Sequence, residues 1–100
     1  MELTLVGLNH KTAPIALREE IAFAETALPC ALQTLRSEFG FGEAMIVSTC
    51  NRVEILVDNS KNGASGDQIE AFLSHYHGIN PVRFAPHLYT FREDELVRHV

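Results

Sequence analysis

The stretch Ile46–Ile55, IVSTCNRVEI, decides how this chain is read. An apolar run stops at Ser48-Thr49-Cys50-Asn51-Arg52, a small polar cluster with a thiol at its centre. The cluster carries neither an obvious turn signal nor the second nearby cysteine that a metal site needs. Upstream, EAMIVST is a continuous apolar run, which reads as a central strand buried on both faces. Downstream, RVEILVD alternates, with Val53, Ile55 and Val57 on one side and Arg52, Glu54, Leu56 and Asp58 on the other. Cys50 therefore stands where one strand meets the next, a place where side chains emerge at a sheet edge.

Working outward, LTLVGL (3–8) reads as a short strand and NHKTAP as a polar turn ending in Pro14. IALREEIAF supplies one or two helical turns. Leu28, Leu32, Leu35 and Phe39 share one helix face. Pro29 is tolerated only near a helix start, so this helix begins within Glu25–Leu28, and Gly40–Gly42 ends it. NSKNGASGD is a loop whose Asp67 is placed to cap the next helix. That helix has the stripe Ile69, Phe72, Leu73 and Tyr76, and GINP terminates it. HLYTF is the last strand. REDELVRHV then opens a further helix, with acids in its first turn to suit the helix dipole. This pattern reaches Val100 without a cap, so the molecule is expected to continue. The order β-α-β-β-α-β is that of a ferredoxin-like α+β sandwich: a four-stranded antiparallel sheet with helices on one face. Such a fold does not by itself name a function.

One hundred residues suggest one domain, residues 1–100. At 46% apolar and 21% charged, the chain has an ordinary globular composition. No apolar run nears the ~18 residues that span a bilayer. The start, MELTLVGLNHKTAP, lacks the basic and apolar regions of a signal peptide, and a cytoplasmic protein is the default. A disulfide between Cys30 and Cys50 is not expected there. Cys30, in ALPCALQTL, reads as a small core hydrophobe on an amphipathic helix. The net charge of −5 opposes non-specific nucleic-acid binding. Any such contact is local or made by something outside this chain.

Three candidate sites fall away. GLNHKT (7–12) has His10 where a phosphate loop needs glycine before its lysine. GFG (40–42) lacks the third glycine and following helix of a dinucleotide fingerprint. His75 and His77 are two apart at a helix end, do not share a face, and read as exposed histidines favoured by the dipole. No metal site is expected. Cys50 leaves two readings open. One is a buried, inert strand-end thiol. The other is a nucleophile. If the backbone is extended, Arg52 lies on the same side as Cys50, and a neighbouring guanidinium favours thiolate. Thr49, Asn51 and Arg52 also supply donors that could orient a polar acyl substrate. His99 is either a structural histidine or an inward-facing one on the last helix.

GLNHKTAPIALRE, STCNRVE and HLYTFREDELVRHV, in this order, together resemble the N-terminal part of the glutamyl-tRNA reductase family. The resemblance covers essentially the whole chain, and STCNR joined to NHKTAP is specific. It implies that Cys50 attacks the ester of glutamyl-tRNA to form a thioester, which NADPH reduces to glutamate-1-semialdehyde for tetrapyrrole synthesis. By the same resemblance Thr49 and Arg52 hold the glutamyl group, and Asn9, His10 and Ser48 shape the pocket. His99 matches a family histidine near the active site, which implies a second catalytic residue that assists the cysteine or binds a metal. NADPH and a homodimer contact belong to domains beyond these residues. Val53 stands where the family often has threonine, and Ala24 where a capping residue is common. The competing reading is a non-catalytic ferredoxin-like module that binds a small molecule or protein, with a structural cysteine.

Overall fold

The structure, a computed structural model, describes residues 3–58 and 66–92. Strand β1 (Leu3–Asn9) leads through a turn into helix α1 (Ile15–Ile21). A 3₁₀ turn, Glu25–Ala27, runs into α2 (Leu28–Ser37), where Pro29 takes an early position at which its missing N–H costs nothing. Gly40, at φ 74°, ends this helix in the left-handed conformation that glycine adopts without strain. Strands β2 (Glu43–Ser48) and β3 (Arg52–Asp58) form a hairpin. Helix α3 (Gly66–His77), two 3₁₀ turns and strand β4 (Tyr89–Arg92) follow.

The sheet order is β2-β3-β1-β4, antiparallel at every junction. This is the ferredoxin-like arrangement that the element order predicts. The core lies on one face. Val6 and Leu8 of β1 and Val53, Ile55 and Val57 of β3 cluster with Leu17, Ile21, Ala31, Leu35, Ile69, Phe72 and Leu73 from the three helices. Each of these larger side chains contributes about 1.5–3 kcal/mol by leaving water.

Three expectations are corrected. β2 is an edge strand, not a central one, because β3 and β1 occupy the middle of the sheet. Its apolar run is continuous because Met45, though 55% exposed on the face away from the helices, is apolar too. Cys30 is exposed. Ala31 and Leu35 carry the buried stripe of α2, and Cys30 lies about 100° round the helix from Ala31. His77 is half-buried rather than exposed, packed on Phe23 with 4.6 Å between ring centres.

Candidate active site

β1 and β2 finish, and β3 and β4 begin, at the same end of the sheet. Both unusual sequence motifs therefore meet there. The β2–β3 connection is a tight turn built on Thr49. Its N–H donates to Arg52 O at 2.8 Å. Its Oγ1 accepts the N–H groups of Asn51 at 3.2 Å and Arg52 at 3.1 Å. A hydroxyl able to satisfy two turn donors closes the loop without glycine or proline. The chain is bent, not extended, at Cys50 and Asn51. The alternation argument that placed Cys50 and Arg52 on one side does not apply here.

Cys50 sits exposed at the tip of this turn. It borders a depression of about 60 Å³ shared with Thr49 and, from α1, Ile15, Arg18, Glu19 and the adjoining Ala22. Arg18 is the cation that lines this depression with the thiol, a residue the sequence reading passed over. Its Nη1 donates to Ala13 O at 3.0 Å, tying α1 to the preceding loop. Ser48, the last residue of β2, faces the helices and accepts the Phe23 N–H at 2.9 Å.

Asn9 closes β1. Its Oδ1 accepts the N–H groups of Lys11 at 2.9 Å and Thr12 at 3.2 Å. Its own N–H donates to Thr12 Oγ1 at 2.9 Å. This makes NHKT a self-capped turn with His10 exposed on it. The His87 Nδ1–H donates to Thr12 O at 2.7 Å, anchoring the turn from below β4.

Arg52 pairs with Asn9 in the β1–β3 ladder, and Glu54 with Gly7, which in turn pairs with Tyr89. Arg52 is half-exposed, with Nε 3.7 Å from Glu54 Oε1. The Glu54 side chain is only 6% exposed, and Tyr89 donates its hydroxyl to Oε2 at 2.6 Å. Burial first, then the hydrogen bond and charge of Glu54, push the Tyr89 phenol far above its ordinary value, while the charge of Arg52 and, less, the nearby Asn9 oppose the shift. Neither Glu54 nor Tyr89 was singled out from sequence. The alternation of RVEILVD did put Arg52 and Glu54 on one side, and that signal could have found the first of them.

The site therefore gathers Cys50, Thr49, Arg52, Asn9 and His10 at one end of the sheet, with Ser48 turned to the helix side. His99 lies outside the described residues. Among the described residues no three His, Cys, Asp or Glu side chains converge as a metal cage. Gly40–Gly42 ends a helix and enters a strand, the reverse of the strand-to-helix turn that a dinucleotide requires, so these residues do not fit NADPH.

Fold and site together define a class: a ferredoxin-like α+β domain that presents a cysteine on the β2–β3 turn. A profile of the glutamyl-tRNA(Glu) reductase N-terminal domain matches residues 6–100. The chain belongs to that family. It is 43% identical over 99 residues to a glutamyl-tRNA reductase of Magnetococcus marinus and 42% identical over 100 residues to one of Geobacter metallireducens. These matches take in 99% and 100% of the chain but only 24% and 23% of the relatives' length. The solved glutamyl-tRNA reductase from Methanopyrus kandleri superposes over 97% of the chain and 20% of its own, with a TM-score of 0.68 at 23% identity, and shares the fold. No described helix is long and apolar enough to cross a membrane.

Proposed function

We propose that this chain is the part of a glutamyl-tRNA reductase that captures the glutamyl group. The Cys50 sulfur attacks the ester carbonyl, a carbon–sulfur bond forms, and the carbon–oxygen bond to the terminal ribose breaks. The tRNA leaves with its hydroxyl re-protonated, and the glutamyl group remains as a thioester. Arg52, with its planar fork, reads a carboxylate of the glutamyl group. Thr49 holds the turn that carries both residues, and Asn9 and His10 line the same end of the sheet. His99 is assigned an assisting role near the sulfur.

The observation that carries this reading is the exposure of Cys50 at a turn within a family whose members are named for the reaction. Cys50 differs from the exposed Cys30 in standing on the turn of the STCNR motif, where a depression leaves its sulfur reachable. Reduction of the thioester needs a hydride donor. The resemblance assigns this to NADPH, held by residues other than those described here, as it assigns homodimer contacts.

The test uses this chain. It is incubated with glutamyl-tRNA carrying labelled glutamate, quenched in acid and digested, and the peptides are read by mass spectrometry. The label is expected on Cys50, sensitive to hydroxylamine and lost in Cys50→Ser. Label appearing equally on the exposed Cys30, or on neither cysteine, overturns the assignment and leaves the non-catalytic module.

A further inference from the structure

The motifs at this end of the sheet account for Cys50, Thr49 and Arg52, but not for a buried carboxylate directly beneath the arginine. Glu54 sits in mid-strand and has its side chain almost wholly out of water. A carboxylate in that position is costly unless it is hydrogen-bonded. It is bonded: the Tyr89 hydroxyl donates to Oε2 at 2.6 Å, while Oε1 faces Arg52 Nε at 3.7 Å. Asn9, near the same phenol, has its Oδ1 fixed by the N–H groups of Lys11 and Thr12. Asn9 stands opposite Arg52 in the ladder. Tyr89, Glu54 and Arg52 thus form a chain of polar side chains from β4 to β3, and it passes over β1.

Gly7 makes this arrangement possible. A Cβ there would lie 2.8 Å from Glu54 Cγ and 2.5 Å from Val53 O. Only a bare backbone lets the Glu54 side chain cross β1 toward Tyr89. A glycine in mid-strand weakens a sheet, so the close approach is a feature that costs stability to keep.

We propose that Tyr89 is a positioning residue that, through Glu54, sets the direction of the Arg52 guanidinium toward the incoming carboxylate. This deepens the reading above and rests on it. An exposed arginine has many rotamers, and a fork recognises a carboxylate only in a narrow set of directions. The Nε edge of the guanidinium faces, at ion-pair distance, a carboxylate that is itself clamped from the far side. The phenol stays protonated throughout the physiological range and is therefore a permanent donor to Glu54.

The experiment is the rate of Cys50 acylation as a function of glutamyl-tRNA concentration, in single turnover, on the chain itself. Tyr89→Phe is expected to raise the half-saturating concentration about tenfold, the size of one lost charge-assisted hydrogen bond, with the limiting rate little changed. The effect is expected to vanish in an Arg52→Ala background, because the phenol acts only through that side chain. Glu54→Gln should reproduce the pattern, and it carries the test if Tyr89→Phe does not fold. An unchanged half-saturating concentration overturns the proposal. So does a fall in limiting rate alone, or a Tyr89→Phe effect that persists in Arg52→Ala, since these mark a role in the sheet rather than on arginine. Should the wild-type chain acquire no label at Cys50, the underlying assignment fails instead, whatever the Tyr89 variants do.

Discussion

Asn9 and Arg52 occupy one rung of the β1–β3 ladder, the last before both strands leave the sheet. That rung joins the NHKTAP turn to the STCNR turn. Each turn is closed by its own polar side chain, Asn9 Oδ1 in the first and Thr49 Oγ1 in the second. Two self-capped turns on a rigid antiparallel platform give Cys50 a fixed base without burying it. On the proposed function, this combination of exposure and a fixed position is what a thiol that meets a large substrate needs.

Gly7→Ala tests how tightly the platform is built. The added methyl meets backbone at Val53 O, which cannot move aside without parting β1 from β3. A loss of about 1–3 kcal/mol is expected, as for overpacking elsewhere, measured by urea denaturation. Stability equal to wild type would mean that the strands can separate freely at this point.

Thr49 separates turn chemistry from substrate chemistry. Thr49→Ala removes the acceptor for two backbone N–H groups at an exposed site. It should cost roughly 0.5–1.5 kcal/mol and loosen the tip that holds Cys50. Thr49→Ser keeps the hydroxyl and should recover most of the stability and the acylation rate. If serine recovers stability but not acylation, the methyl group of Thr49 touches substrate.

For Arg52 the expectation is the reverse balance. Arg52→Lys keeps the charge near Glu54 but loses the planar fork. The side chain is half in solvent, so the change in stability should stay within about 0.5 kcal/mol, while acylation of Cys50 falls at least about tenfold. Parallel losses of melting temperature and acylation would make Arg52 structural.

The fold was legible in the sequence because its cues are local: alternation in β3, the stripes of α2 and α3, and glycine at the ends of both helices. The errors have one physical cause, which is that pattern reports polarity and not position. Met45 is apolar on an exposed face, so β2 read as central. Cys30 is weakly apolar and one residue outside the buried stripe, so it read as core. At the site, the same limit hid the meeting of Asn9 with Arg52 and of Glu54 with Tyr89. Register between distant strands is set by the whole sheet, and no window of sequence contains it. Cys50 stands out in the sequence by its polar neighbours, but the side it shares with Arg18 follows from a turn closed by the Thr49 hydroxyl and backbone together.

Ser48 is the site-motif residue that faces the helices. Its hydroxyl accepts the Phe23 N–H, joining the end of β2 to the segment after α1. Ser48→Ala leaves that partly buried N–H without its partner, for an expected loss of about 1–3 kcal/mol. Because α1 forms the other wall beside Cys50, acylation should fall together with stability, and lowering the temperature should restore both. Lost acylation at full stability would place the Ser48 hydroxyl on the substrate instead.

His77 predicts how the domain responds to acid. Its ring packs on Phe23 at 4.6 Å and on Tyr76 at 5.3 Å, and burial holds its pKa below the ordinary value of 6.5, against the raising effect of a hydrogen bond to the Ile21 backbone. The imidazole is therefore neutral in the fold, whereas in the unfolded chain it takes up a proton as the pH drops below 6.5. Below that pH the unfolded state binds more protons, so this residue's contribution is complete above 6.5 and is lost as the pH falls through the lower, folded value. His77→Phe keeps the aromatic contact and removes the titration. Urea midpoints measured from about pH 7.5 down to about pH 5 should fall less steeply in the variant, by up to one proton's worth of slope. Equal slopes in the two proteins would mean that the ring leaves its pocket when it charges and gives the acid response no handle there.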